Sequence, residues 1–527
     1  MKKVLLVEPE LSVYSYNDYS YLMTLFGKCM AMPYGLLTVA AYIPENYDKK
    51  LVDLRVPGTA LQEADIEQAD IIFLSGHEIQ KDSIHRICNL CKNTNPDATL
   101  VLGGVYASLQ YDQIEGFHCI IAGEIEDFLL TFFDDYEAGS LKPVYLVENS
   151  PRLQTSLAPR YDLIDVNDYY MGIVQLGRGC PYDCDFCIIG KLQGKKIRTK
   201  PNEVMARELN ALYDTGFEGL VMFADDNYAS YHCIEDHLEF LIEWQKEHDY
   251  PFMFFTQTDI TLADNIEKMR LMCEANFHAV CIGLESPIPE SFKMANKRQN
   301  QDRDLIDSVK KIHKQGIEVY GAMMVGLDGD RKGFSDLMYD FLNQAGIPHS
   351  MISILCVRPG MPIYKKLEKE NRVTHEWDGS SARFGFPPLG HILKNIDKDA
   401  FYKEYAKLVL NLYDPVQYFA RCRTFLNNFM VKSDRLSWKK RFIDFRNFMT
   451  IMAQVRKHPE YYREFKKFLL SVFLTRPLKI IVAIELGMSG YNTYMEMNEF
   501  HQTYKESFSS TGPDIATEEY SDCIVHP

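Results

Sequence analysis

At 527 residues the chain exceeds what one ordinary core holds, so two or three domains are expected. Its 46% apolar and 25% charged residues exclude a disordered or fibrous protein, and a net charge of -16 without a long basic patch argues against a nucleic-acid partner. Thirteen cysteines behind an opening MKKVLLVEPE, without a leader or cleavage site, suit a reducing cytoplasm, where cysteines are buried thiols or ligands.

Residues 1–145 alternate short β-branched runs with helical stretches. The runs are Val4 to Val7, Leu51 to Asp53, Ile71 to Ser75, Thr99 to Leu102 and Cys119 to Ala122. Continuous apolar strands of this kind predict a parallel sheet covered on both faces, a doubly wound α/β domain of about five strands. Its turn signals follow the strands at Ser75-Gly76, Gly103-Gly104 and Gly123-Glu124, where such folds bind ligands. Cys88 and Cys91, three residues apart in a helical run, read as buried thiols on one face.

After a proline-containing linker, residues 160–375 repeat the alternation. Strands are predicted at Ile173 to Leu176, Leu220 to Phe223, Phe252 to Thr256, Val280 to Leu284, Val319 to Val325 and Ile352 to Cys356. Six such βα units predict a partial parallel barrel with its site at the strand C-terminal ends. Residues 390–505 read as a helical region rich in Phe, Tyr, Lys and Arg, and 506–527 as a flexible tail. The apolar stretch Phe468 to Leu486 is broken by Arg476, Pro477 and Lys479, so it is not expected to span a bilayer. Trp438 to Phe442 and Phe465 to Leu470 admit two readings, a helical cap with a solvated basic face or a contact with an anionic membrane surface, and the cap is preferred.

The loop after the first barrel strand carries Cys180, Cys184 and Cys187 in a C-x3-C-x2-C arrangement. Three closely spaced thiolates suit one face of a [4Fe-4S] cubane and leave the fourth iron open to a chelating substrate. Zinc is the alternative, but a structural zinc site closes with four ligands and no nearby His or Cys supplies the fourth.

This loop resembles the radical S-adenosylmethionine (SAM) superfamily. That resemblance implies a cluster whose open iron takes the amino and carboxylate groups of SAM, a 5'-deoxyadenosyl radical, and an electron donor such as ferredoxin or flavodoxin. Phe186 resembles the family aromatic near adenine. Asp225 and Asp226 resemble the segment that receives the SAM amino group, with a helix N-cap as the plainer reading. Gln257 is a candidate for polar contact or strand-end capping. Gly283 and Glu285 resemble the glycine-bearing strand beside adenine, Glu285 being a candidate for the ribose or for a carboxylate network.

A doubly wound domain before such a barrel resembles the cobalamin-binding branch, matched at Met32-Pro33-Tyr34-Gly35-Leu36-Leu37, Ser75-Gly76, Gly103-Gly104 and Gly123-Glu124. The cobalt-ligating histidine motif is absent, Asp53 being followed by Leu54-Arg55-Val56-Pro57-Gly58, so cobalamin without a histidine ligand is implied. His77 is a corrin candidate, with a turn cap as the plainer reading. Pro359 to Tyr364 and Arg421 to Phe425, among others, resemble the subgroup containing the hopanoid C-2 methylase. The expected protein is a cytoplasmic cobalamin-dependent methyltransferase acting on an unactivated carbon, with a hopanoid or other lipid as candidate substrate. The competing readings are a radical enzyme of the same architecture that forms a ring or transfers another SAM-derived group, and a non-catalytic Fe-S and cobalamin sensor.

Overall fold

In the computed structural model the chain is described over residues 1–11, 20–148, 150–374, 389–431 and 448–509. The first sheet has the strand order β3-β1-β4-β5-β6-β7, all parallel: β1 Lys2–Glu8, β3 Tyr47–Asp53, β4 Ile71–Ser75, β5 Thr99–Gly103, β6 Cys119–Gly123 and β7 Val144–Val147. Its strands read as unbroken apolar runs because both faces are covered. Leu5, Val7, Ile72 and Leu74 pack on one side with Ile84, Cys88 and Cys91, whereas Val4, Leu6 and Phe73 pack on the other with Phe132 and Phe133. The five expected strands are present and β7 adds a sixth at the edge. Cys88 and Cys91 are buried thiols, and burial pushes Cys91 up to about 12.

The second sheet has seven parallel strands in the order β15-β14-β13-β12-β11-β8-β2. These are β8 Tyr169–Val174, β11 Gly219–Phe223, β12 Phe252–Thr258, β13 Phe277–Glu285, β14 Glu318–Val325 and β15 Ser350–Ile354, the six expected. The seventh, β2 Cys29–Ala31, comes from the N-terminal region and pairs with β8, so the two domains share a sheet edge. Tyr34, just after β2, donates its hydroxyl to Glu208 Oε1 at 2.9 Å and strengthens that junction. Alternation sets the two faces of the curled sheet: Val221, Phe223, Phe252 and Phe254 are buried against helices, while Met222, Phe255, Cys281, Tyr320, Ala322 and Met324 on the opposite, concave face are only half-buried. A short antiparallel pair, β9 Gly177–Arg178 with β10 Arg198–Thr199, brackets the cysteine loop.

The C-terminal region is helical: Lys398–Tyr413, Pro415–Asn428, Pro459–Thr475 and Ile480–Ser509. Asp397 caps the first through the Ala400 N–H at 2.9 Å, and Asp414 caps the second with Pro415 at its first position. Arg476-Pro477 ends the third, and among the described residues no helix is long and apolar enough to cross a membrane. The last helix runs through 506–509, where a flexible tail was expected; 510–527 and the basic stretch Trp438 to Phe442 lie outside the described residues.

Candidate active site

The cysteine loop leaves β8 at the C-terminal edge of the barrel and is fastened residue by residue. Asp225, at the end of β11, is buried and accepts from the backbone N–H groups of Leu176 at 3.1 Å and Gly177 at 2.6 Å. Arg178 donates to Gln175 Oε1 at 2.8 Å and to Glu124 at 2.6 Å, and also pairs with Glu126. Arg198 holds Glu124 from the other side at 2.6 Å. Gly179 has φ +95, and a Cβ there would lie 2.6 Å from the Lys196 carbonyl, so only glycine makes this turn. Farther on, Asp185 donates its N–H to the Ala295 carbonyl and accepts from the Ile363 N–H.

Two of the candidate residues are held by their neighbours. Both oxygens of Asp225 accept from backbone N–H groups that precede the cysteines, so this carboxylate anchors the loop. Glu124 is engaged by Arg178 and Arg198 and ties the N-terminal domain to the cysteine loop. Neighbouring carboxylates on a strand end point to opposite sides, and Asp226 is the one turned toward the cysteines. One of its oxygens takes the Gly179 N–H, while Oδ2 is buried without a partner. Burial raises its pKa to about 6.

Cys180, Cys184 and Cys187 are half-buried; burial is the main cause that raises their pKa values, to about 11 for Cys187, and Cys184 adds to the rise at Cys180 as both do at Cys187. Among the described residues no three metal-ligating side chains already stand gathered as a cage. The fit to a cluster is instead a matter of donor set and surroundings. Soft thiols on one loop are flanked by amides that point at sulfur, Asn227 Nδ2 at 4.0 Å from Cys180 Sγ and Gln299 Nε2 at 3.7 Å from Cys184 Sγ, and the unpartnered Asp226 oxygen is available beside them. Thiols kept protonated by burial become ligands when a cation offsets the charge of the thiolate.

Below the loop, β13 ends in a register shift between Gly283 and Glu285, and Glu285 takes a left-handed φ of 63°. That bend aims its buried carboxylate at Lys297 Nζ, 2.5 Å away. Gly283 makes the pairing possible, since a Cβ there would sit 2.3 Å from Lys297 Nζ. Burial opposes the Lys297 charge, but Glu285 outweighs it and holds the ammonium above its ordinary pKa. Lys297 also lies 5.7 Å from the centre of the Phe186 ring. Glu285 thus belongs to a charge network. At the end of β12, Thr256 and Thr258 bond to neighbouring elements, whereas Gln257 is exposed. Lys297, Asn227 and Gln299 complete the site without having been singled out as individual site residues; the run Ala295-Asn296-Lys297-Arg298 carries no spacing signal, and only the tertiary fold brings it beneath the cysteines.

The N-terminal edge is built differently. Gly104 has φ +87, and a Cβ there would approach Ser75 Oγ to 2.7 Å and Gly76 N to 2.9 Å. Gly123 has φ +116, with the Val147 carbonyl 2.4 Å from where a Cβ would lie. His77 opens a short 3-10 turn, its N–H donating to Gln80 Oε1 at 2.8 Å; burial and the nearby Arg358 hold its imidazole below the ordinary pKa. Arg358, after β15, pairs with Glu78 and forms a second tie between the domains. Between the edge and the segment after the cysteines lies a cavity of about 370 Å³, lined by Tyr111, Gly123, Glu124, Glu148, Lys191 and Gln193 among others.

A parallel barrel edge bearing three loop thiols, facing a doubly wound sheet, defines a class. The radical SAM superfamily profile matches residues 174–337, and a domain family of unknown function, DUF4070, matches 362–506. The chain belongs to the radical SAM superfamily and is an enzyme of it. More particularly, it is 33% identical over 408 residues to an uncharacterised methyltransferase of Synechocystis sp., covering 77% of this chain and 75% of that one. It is 30% identical over 349 residues to the hopanoid C-2 methylase of Rhodopseudomonas palustris, covering 65% and 66%. The fold is shared with OxsB, a cobalamin-dependent SAM radical enzyme solved with aqua-cobalamin and SAM bound, at TM-score 0.61 and 14% identity over 100% of this chain and 82% of that one. The methyltransferase TsrM from Kitasatospora setae, solved with a tryptophan substrate and a SAM analogue, matches at TM-score 0.60 and 12% identity, covering 87% and 99%.

Proposed function

We propose that this enzyme is a cobalamin-dependent radical SAM methyltransferase that methylates an unactivated carbon of a lipid-class substrate. When bound, the cluster and cobalamin supply an electron for SAM cleavage and a carrier for the methyl group. The chain's own residues supply the setting. Cys180, Cys184 and Cys187 are assigned as cluster ligands, with Asn227 and Gln299 donating toward the sulfurs. The free oxygen of Asp226 accepts from an ammonium group, and Gln257, Phe186 and the Lys297–Glu285 pair beside Gly283 bound the remainder of the SAM site. Ser75, Gly76, His77, Gly103, Gly104 and Gly123 form the edge assigned to cobalamin, where missing Cβ atoms let backbone approach a large ligand.

A C–H bond without acidity offers nothing to a general base, so the site needs an enclosed, apolar wall more than a proton acceptor. The half-buried Met222, Phe255, Tyr320 and Met324 of the concave face supply one. The single observation that carries the reading is the anchored three-thiol loop set between the concave face and the glycine edge. The hopanoid C-2 methylase among its relatives supports a polycyclic lipid as the substrate. A small molecule or lipid and a low-potential electron donor such as ferredoxin or flavodoxin are the partners this chemistry requires.

The test is anaerobic loading of the reconstituted full chain with cobalamin, then incubation with a cell lipid extract, a reductant and SAM carrying a deuterated methyl group. The expected result is retained corrin absorption and a lipid heavier by one labelled methyl group. Corrin refused after loading, or 5'-deoxyadenosine formed with a ring-closed or otherwise extended product, would replace methylation with the ring-forming or group-transfer alternative.

A further inference from the structure

Nineteen large apolar side chains are conspicuously exposed among the described residues, and five of them lie within twelve positions: Leu470 at 60%, Phe473 at 61%, Leu474 at 70%, Leu478 at 87% and Ile481 at 44%. They share one place, the corner where the helix Pro459–Thr475 turns through Arg476-Pro477 into the helix Ile480–Ser509. The first helix explains why. Its inward face, Tyr461, Phe465, Phe468 and Val472, is buried against Phe419 and its neighbours, and Leu470, Phe473 and Leu474 occupy the opposite face. Lys479 fixes the corner by donating to the carbonyls of Leu426 and Phe429, both at 2.6 Å, and this brings the exposed Met430 alongside.

The charge around this corner runs against that of the chain. Residues 456–479 hold seven Lys and Arg (456, 457, 463, 466, 467, 476 and 479) and two Glu (460 and 464), a net charge of 7 - 2 = +5 in a protein of net -16. Exposed Arg463, Lys466 and Lys467 precede the apolar tip on the same outer face. Solvated helices rarely leave leucine and phenylalanine contiguous on their outer surface. An exposed apolar tip at the end of a net-cationic helix in an otherwise acidic molecule matches one occupant in both respects, the interfacial zone of an anionic bilayer.

We propose that this helical corner docks the enzyme peripherally on an anionic membrane surface, Leu470, Phe473, Leu474 and Leu478 entering the headgroup boundary and the exposed Arg463, Lys466 and Lys467 of the preceding turns engaging lipid phosphates. This revises the preference for a solvated cap: the inner face of the helix is the cap and its outer tip is the contact. The inference stands apart from the chemistry at the cysteine loop, so it survives if methylation fails, and the reverse.

The experiment is flotation of the full, reconstituted chain with vesicles of phosphatidylglycerol and phosphatidylcholine mixed, or of phosphatidylcholine alone, across a salt series. Binding to the anionic vesicles, at least tenfold weaker on phosphatidylcholine and falling with salt, is expected. A Leu470→Ser, Phe473→Ser, Leu474→Ser variant should lose at least tenfold in binding while keeping the wild-type circular dichroism, melting temperature and iron content. A Lys466→Glu variant, which reverses an exposed cation 4.8 Å from the centre of the Tyr462 ring, should weaken binding in low salt and converge with wild type in high salt. Absence of binding by folded wild type, equal binding by the triple-serine variant, or a solution dimer that the triple-serine variant dissociates would each overturn the proposal, the last by assigning the corner to a second copy of the chain.

Discussion

Two strand edges face each other across this molecule, and they are made by opposite means. The N-terminal edge is shaped by what its residues lack: Gly104 and Gly123 adopt left-handed conformations where a Cβ would meet Ser75, Gly76 or Val147. The barrel edge is shaped by buried charge, with Asp225, Arg178, Glu124, Glu126, Glu285 and Lys297 each committed to a neighbour. In the proposed function one edge keeps backbone accessible to a large ligand, and the other immobilises a loop whose sulfurs must sit in fixed places. Asymmetry of this kind is expected when one side receives a bulky group and the other builds an inorganic centre. Glu124 belongs to both, which makes the quartet with Arg178, Arg198 and Glu126 the mechanical link between them.

The comparison breaks most visibly at Asp225. Asp225→Ala removes the acceptor for two buried N–H groups and should cost about 3 kcal/mol of stability, since buried groups left unpaired lose their full desolvation energy. The check is chemical denaturation together with iron content after reconstitution; both should fall, whereas Asp226→Asn, which removes a buried charge, should raise stability at neutral pH and weaken SAM binding. At the opposite edge, Gly104→Ala should cost about 2 kcal/mol through its left-handed φ and the Ser75 contact. Calorimetry measures that loss, and corrin retention should drop while reductive formation of 5'-deoxyadenosine persists. An equal loss of both activities would mean that the two edges are not separable.

The smallest effect lies far from both edges, at the floor of the barrel. Glu318 accepts from or pairs with His349 Nδ1 at 2.6 Å, and His349 reaches Ser489 of the last helix at 2.7 Å. Burial would raise the Glu318 pKa, but His349, with His278 and His313 behind it, holds the carboxyl below the usual range. A folded pKa below the unfolded one contributes stability above the unfolded carboxylate pKa and loses it as pH falls through the folded value. Glu318→Gln should therefore cost about 1 kcal/mol at neutral pH, and the gap from wild type in melting temperature should close in acid.

Most of the architecture could be read directly from the chain, because buried parallel strands are continuous apolar runs with glycine turns after them. Two strands escaped. Cys29–Ala31 is three residues long and its partner β8 lies about 140 positions away, so nothing local marks it. Val144–Val147 is an edge strand behind Lys142-Pro143. At the site, cysteine spacing singles out one loop, because chemistry restricts which residues can serve as cluster ligands. Charged residues gave weaker guidance. Asp225 and Asp226 are adjacent and identical in type, and only the pleat decides which holds backbone and which faces the loop. Glu285 could be read as a network residue, but its partner Lys297 could not, since that pair exists only once β13 bends.

In the proposed site three thiolates leave one iron of a cubane open to a chelating cosubstrate. Electron paramagnetic resonance of the anaerobically reconstituted, reduced chain, taken with and without SAM, tests it most directly. About four irons per chain and a signal that shifts when SAM is added are the expected result. A signal indifferent to SAM, or zinc in place of iron, would contradict it.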